Sequence, residues 1–344
     1  MVNEMAIEDS KFDLIIIGAG PSGISSADTA AREGLNYLVL EKGLIANTVY
    51  NYPVGRTVFS TVDELEMREG QLLPAREKPT REELLSHYVR FVLNEELNIH
   101  TEEEVLSVEK LSDDLFIVRT TRAEYAASRI IFAVGAMAHP RELGVPGEHL
   151  SKVHHRFVDP YPFVKKHVMV VGGGNSAAEA ALFLSEEGAY TTLTIWRSDW
   201  DNRDPKKGAI KHWVRTPLEH EIAEGRLQVL LFDELTEITE TNVYVRTEDG
   251  PIVIVPNDDL FILIGAEADL TLLRNLGVQI VKAGIDEIPV YDEETFQTNV
   301  QGVYVAGHFT LARHIKEAIL VPRRIVPIIA RELRMRDAIL NTAQ

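Results

Sequence analysis

The chain of 344 residues contains no cysteine. Disulfides, thiolate metal sites and a redox-active thiol pair are therefore excluded. Basic charge is also scarce. Lys and Arg number 35 against 53 Asp and Glu, for a net charge of -18. Nucleic acid and anionic membranes are recognised by basic surfaces, so neither is an expected partner. No apolar run reaches the ~18–20 residues of a membrane span. The 11 histidines are scattered and no helical His-x-x-x-His with a supporting acid occurs, so no metal site is expected. There is no repeat of solenoid period and no low-complexity tract. Met1 to Lys11 is polar and acidic, unlike a secretory signal, and the expected compartment is the cytoplasm. The length suggests two domains, because one core rarely grows beyond roughly 250–300 residues.

Against these absences stand two glycine-rich turns. Gly18-Ala19-Gly20-Pro21-Ser22-Gly23 follows the apolar run Leu14 to Ile17. A small-residue helix to Glu33, a stop at Gly34 and a second strand, Leu35 to Leu40, complete a βαβ unit. The glycines permit a tight turn, close approach of a pyrophosphate, and packing of helix on strand; the helix N-terminus supplies amide donors. Glu41 stands 23 residues after Gly18, close to the spacing of ~20 expected for the acid that bonds an adenosine ribose. This first site is expected to hold FAD.

The second turn, Gly172-Gly173-Gly174-Asn175-Ser176-Ala177, follows Val168 to Val171 and precedes a helix to Glu187 and a strand, Thr191 to Trp196. Ala177 replaces the third glycine, an accepted variant. No acid ends this strand; Trp196 and Arg197 do. Arg197 is expected to pair with a 2′-phosphate, with Arg203 as a second contact and Trp196 or Arg197 stacking on adenine. The expected second cofactor is therefore NADPH.

Elsewhere the pattern predicts a capped helix opening at Thr80 and Glu83, and strands at Val105 to Val118, Ala126 to Val134, Val229 to Phe232, Val243 to Thr247, Ile252 to Val255, Leu260 to Ile264 and Val303 to Ala306. Gly135, Gly265 and Gly307 each follow a strand. Asn47 to Ser60 reads as a loop, Arg141 to Asp159 as a charged connector, and a helix is expected from near Ala312 past Ile319. Tyr52 and Phe59 are candidates to wall a flavin ring. His154 and His155 are candidates for proton transfer, since imidazole titrates near neutral pH.

Together these parts resemble the two-dinucleotide-domain flavoprotein disulfide reductases of the low-molecular-weight thioredoxin reductase branch. The chain is most similar to the bacillithiol-disulfide reductase-like family at Leu40-Glu41-Lys42-Gly43, Tyr50-Asn51-Tyr52-Pro53, Phe59-Ser60-Thr61, Gly307-His308-Phe309-Thr310 and Arg313-His314-Ile315-Lys316-Glu317-Ala318-Ile319. The resemblance implies that Gly18, Gly20, Pro21, Ser22, Gly23, Glu41, Lys42, Val105, Gly135, Gly307 and His308 surround FAD. It also implies that a helix starting near Ile315 and Lys316 aims its N-terminus at the flavin's pyrimidine end, where reduced flavin carries negative charge. The nicotinamide nucleotide would fall to Gly172, Gly174, Asn175, Ser176, Ala177, Trp196, Arg197, Arg203 and Gly265. The implied fold is α/β, with two doubly wound Rossmann-like domains: an FAD domain from residues 1–157 and 266–344, and an NADPH domain, 158–265, inserted between. A homodimer is expected.

The chain departs from that pattern where thiols belong. Family members commonly carry a cysteine in the first glycine turn, and this chain has Ser22. Thioredoxin reductases place a cysteine pair just before the second turn, where this chain has His154-His155-Arg156-Phe157-Val158-Asp159. The catalytic candidates are Ser22, Tyr52 and His155. The expected activity is hydride transfer from NADPH to FAD and onward to an external acceptor, a small molecule or carrier protein. Three other readings stay open: disulfide or thioredoxin reduction without an own cysteine, a ferredoxin- or flavodoxin-NADP reductase-like activity, and a non-catalytic flavin redox sensor.

Overall fold

The computed structural model describes residues 11–204, 208–248, 250–312 and 314–342. Met1 to Ser10 and Arg313, which entered the sequence reading, lie outside the described residues. The chain divides into two compact units. One takes residues up to Ala138 and from Ala268 onward; the other is His139–Glu267.

Each unit is built on a strand-turn-helix-strand motif. In the first, β1 (Phe12–Ile17) leads to α1 (Pro21–Arg32) and β2 (Tyr37–Leu40). In the second, β3 (His167–Val171) leads to α2 (Asn175–Glu186) and β4 (Tyr190–Ile195), followed by the short α3 (Arg197–Asp201) and α4 (His212–Ala223). The last segment carries α5 (Ile315–Leu320) and α6 (Pro322–Thr342).

β1 lies between β2 and Glu124–Phe132, parallel to both. A strand covered on both faces must be apolar where it is buried, and Leu14 to Ile17 are, while Asp13 lies at the half-exposed start. Leu14 and Ile16 point into one core with Ile24, Ala27, Ile325 and Ile329; Ile15 and Ile17 point into another with Leu38, Phe132 and Val305. Val303–Val305 pairs parallel with Glu124–Phe132, so the returning segment completes the first unit's sheet. The second unit's sheet runs Ile252–Pro256, Asn242–Thr247, Leu227–Ile238, β4, β3, Asp259–Ile262, Val153–His154. Two doubly wound α/β units with a discontinuous first unit match the expected fold class.

Four local expectations differ. Asn47 to Ser60, expected as a loop, opens with a one-turn helix, Asn47–Tyr50. Val105 to Val118 is a hairpin, Val105–Ser112 and Leu115–Thr120, because the chain turns at Asp113 and Asp114. The helix expected near Ala312 starts at Ile315 and gives way to α6 at Pro322. The stretch read as a connector belongs to the second unit. Val153 and His154 pair with Leu260 and Phe261, and His139 and Pro140 pair with Glu267 and Ala266. The unit boundaries accordingly fall at 138/139 and 267/268 rather than at 157/158 and 265/266. Two-residue strands carry no periodicity, and their partners lie more than a hundred residues away, so nothing local announces them.

Candidate dinucleotide sites

The first turn assigns its glycines different duties. Gly18 has φ +108°, and a Cβ there would fall on the Ala133 carbonyl. A Cβ at Gly23 would fall on the Gly18 carbonyl oxygen. Both positions are closed by the protein's own backbone. Gly20 is different: a Cβ there meets nothing within 4 Å. Packing does not require a glycine at Gly20, but a phosphate approaching the backbone does. α1 opens at that point with Gly20 as N-cap, Pro21 in its first turn and no side-chain cap, so its first amides are left to a ligand.

Glu41 completes this cradle. It is 8% exposed. Its Oε2 accepts the Ala19 N–H at 2.8 Å and its Oε1 the Gly43 N–H at 2.7 Å. A carboxylate has about four acceptor sites, so capacity for a ribose hydroxyl is left. The residues therefore fit the adenosine and pyrophosphate of FAD. Lys42 is exposed beside Glu41, and Val105 is buried. Behind Glu41 lies a group the sequence reading missed. Glu103, 1% exposed, donates its backbone N–H to the Glu41 carbonyl at 2.9 Å. Its side chain accepts from Thr120 and Tyr125 and faces His100 Nδ1 at 2.9 Å. Burial opposes the charge, but these hydrogen bonds outweigh it and hold the carboxyl below its ordinary value.

Ser22 is buried, and its hydroxyl has no hydrogen-bond partner among the described residues. A Cβ at Gly307 would lie 3.2 Å from Ser22 Cβ and 3.4 Å from its Oγ, so the fold brings the first turn and Gly307 together. Gly135 follows Glu124–Phe132 in the same unit, and His308 is exposed beside Gly307. Ile315 and Lys316 open α5, which Ser25 holds through a 2.6 Å hydrogen bond to the Ile319 carbonyl; Lys316 also stands 3.5 Å from Asp63. Tyr52 and Phe59 come together around a cation: the Arg56 guanidinium lies 5.0 Å from one ring centre and 4.7 Å from the other.

The second turn repeats the division of labour. Gly172 has φ +151°, and a Cβ there would strike the Leu263 carbonyl and come within 2.8 Å of Ala177 Cβ. Ala177 is fully buried, so alanine suffices at the third position. A Cβ at Gly174 meets nothing within 4 Å, the same opening as at Gly20. α2 likewise has a glycine N-cap without side-chain capping. Asn175 Oδ1 accepts the Lys211 N–H at 2.8 Å and fixes the start of α4; Ser176 is exposed. The turn fits a second dinucleotide.

Of the cations expected there, one is held by an acid and the other by a carbonyl. Arg197 pairs with Glu248 at 2.5 Å. Arg203 donates to the Trp200 carbonyl at 2.6 Å and stands 3.8 Å from Glu219. Trp196 packs on Phe232 with ring centres 4.6 Å apart. Gly265 accepts the Arg141 N–H through its carbonyl. Arg215, unnoticed in the sequence, is buried and lies over the Trp200 ring at 4.5 Å. His154 pairs with Asp259 at 2.8 Å and packs on Phe261, while Lys166 reaches the same Asp259 at 2.9 Å. His155 has a buried Nδ1, with Nε2 4.0 Å from Glu148.

Two cradles for dinucleotides in one chain, the first with an acid placed for a ribose, define an oxidoreductase that carries a flavin and a nicotinamide nucleotide. Comparison with known proteins agrees. The family profile described as pyridine nucleotide-disulphide oxidoreductase matches residues 15–307. The chain is 33% identical to the bacilliredoxin reductase Bdr of Bacillus subtilis over 306 residues, 89% of this chain and 92% of that one. It is 30% identical to a ferredoxin–NADP reductase of Ignicoccus hospitalis, covering 87% of this chain and 90% of that one. The structure of the bacillithiol disulfide reductase Bdr (YpdA) from Staphylococcus aureus superimposes with a TM-score of 0.87 at 30% identity, covering 94% of this chain and 99% of that one. The chain belongs to the pyridine nucleotide-disulphide oxidoreductase family, and it is an FAD-dependent NAD(P)H oxidoreductase. Among the described residues no helix is long and apolar enough to cross a membrane.

Proposed function

We propose that this chain reduces an electron acceptor outside itself and that its efficient acceptor is not a low-molecular-weight disulfide. The observation that carries this reading is Ser22, a buried hydroxyl in the first glycine turn of a chain without a single thiol. A hydroxyl cannot form a mixed disulfide, so thiol exchange within the protein is closed. Direct reduction of a bound disulfide would need that substrate placed closely against the cofactor, a demanding fit for a bulky molecule.

FAD, when bound, would supply the redox chemistry, a two-electron exchange between the nicotinamide and the acceptor. The chain's own residues position and insulate. The opening at Gly20 and the amides of α1 receive the pyrophosphate, and Glu41 receives the ribose. Gly174 and α2 do the same for the nicotinamide nucleotide. Ser22 and Gly307, which lie together, would face the flavin, with Gly135, His308 and the start of α5 beside them as the family resemblance implies. The relatives' names divide between a bacilliredoxin reductase and a ferredoxin–NADP reductase. The absence of cysteine favours a carrier-type acceptor here.

The test is reoxidation of the NAD(P)H-reduced protein by a panel of acceptors in stopped flow. One-electron carriers, quinones or oxygen should reoxidise it faster than bacillithiol disulfide does. Reoxidation by bacillithiol disulfide or oxidised thioredoxin at rates matching turnover would overturn the reading.

A further inference from the structure

The strand of the second dinucleotide unit ends without an acid, and that absence underlies the sequence expectation of NADPH. The fold supplies an acid from elsewhere. α3 turns the chain back immediately after β4, and it brings Asp199 onto the glycine turn. A Cβ built at Gly173 would run into the Asp199 carboxylate and its Cβ. Gly173 is the middle residue of Gly172-Gly173-Gly174, as Ala19 is the middle residue of Gly18-Ala19-Gly20. Glu41 holds the N–H of Ala19. Each turn thus carries one carboxylate over its middle residue, delivered by a strand end in the first unit and by a short helix in the second. Asp199 stands 27 residues after Gly172, against 23 for Glu41 after Gly18.

We propose that Asp199 is the ribose-reading residue of the nicotinamide nucleotide site and that it selects NADH over NADPH. This rests on the second turn being that site. A carboxylate accepts hydrogen bonds from an unmodified 2′-hydroxyl, whereas a 2′-phosphate brings about two negative charges and no matching donor. Among the described residues no hydrogen bond or ion pair occupies the Asp199 oxygens, so they are open to a ligand's hydroxyls. The cations proposed for a 2′-phosphate are differently placed. Arg197 is engaged by Glu248 and Arg203 stands near Glu219, so a phosphate must compete with carboxylates for both. Gly173 also acquires a reason: any side chain there displaces Asp199 from the turn.

The test uses the FAD-loaded protein and two ligands that lack nicotinamide, ADP-ribose and its 2′-phosphorylated form, titrated by calorimetry. No turnover is involved. Wild type should bind ADP-ribose at least tenfold more tightly than the phosphorylated ligand. Asp199→Asn removes the charge at constant size and should bring the two affinities within about threefold; Asp199→Ala should do the same and weaken ADP-ribose as well. Equal or tighter binding of the phosphorylated ligand by wild type overturns the inference. So does a ratio that Asp199→Asn leaves in place while Arg197→Ala changes it. If neither ligand binds wild type, the second turn is not a nucleotide site, and the functional reading fails together with the inference.

Discussion

The two glycine turns are near-copies in backbone and differ in how they are furnished. In both, the first glycine is locked by a positive φ and a carbonyl pressed against it, while the third position packs helix on strand. In both, the middle glycine of the motif, Gly20 or Gly174, faces open space. The furnishing is where they part. Glu41 sits at the end of β2, tied to two backbone amides. Asp199 arrives on a separate helix and is tied to none among the described residues. Each unit also buries acids, and Glu103 and Glu221 show opposite solutions. Glu103 is held by neutral donors, Thr120 and Tyr125, with His100 beside it. Glu221 is held by the Arg226 guanidinium through two hydrogen bonds, with Ser185 as a third donor. The lesson is that one backbone device is reused, while nucleotide grip and acid stability are set by side chains that the motif does not contain.

The sharpest way to break the parallel is at its first glycines. Gly18→Ala adds a Cβ against the Ala133 carbonyl in a backbone conformation that disfavours it, and should cost at least ~3 kcal/mol; Gly172→Ala should cost its own unit as much. Denaturation curves of the two variants would measure both, and a loss under 1 kcal/mol at either would show that the turn relaxes. Next comes Glu41→Ala, which orphans the Ala19 and Gly43 amides and removes the ribose acceptor. Two charge-assisted hydrogen bonds and a ligand contact are involved, so FAD affinity should fall about a hundredfold, roughly 2.7 kcal/mol. Fluorescence titration of the apoprotein checks it, and a change of less than fivefold would remove Glu41 from the site.

Glu221 sharpens the contrast between the supporting acids. The Arg226 hydrogen bonds come first among the causes that pull its carboxyl down to about 2, against the opposing effect of burial. A depressed folded value means that the stabilisation is complete above the ordinary carboxylate range and is lost as the pH falls from about 4.5 towards 2. Glu221→Gln should therefore cost about 2 kcal/mol at neutral pH and flatten the acid limb of stability. Thermal melts between pH 3 and 7 would show it, and an acid limb identical to wild type would refute it. The smallest effect belongs to Tyr125→Phe. It deletes one of three hydrogen bonds on Glu103 and should cost ~1 kcal/mol, with FAD affinity within about threefold of wild type. A larger loss of FAD would mean that Glu103 controls the position of Glu41 directly.

Much of this was legible in the residues because it is local. Both βαβ units, the Thr80–Glu83 capping box and Glu41 are read from spacings of a few to some twenty residues, and the helix and strand periods leave their marks over such distances. The missing thiols are likewise a property of the sequence alone, and they direct the search for an acceptor away from disulfides. What the residues did not disclose is what the fold assembles from distant pieces. Val153–His154 joins a sheet through partners at Leu260 and Phe261. Glu103 stands behind Glu41, and Asp199 covers Gly173. The sequence by itself determined that the chain holds two dinucleotides and carries no thiol chemistry of its own. Only the tertiary structure decided which acid stands over the second turn, because a side chain delivered by a helix after the strand has no fixed spacing from the glycines it meets.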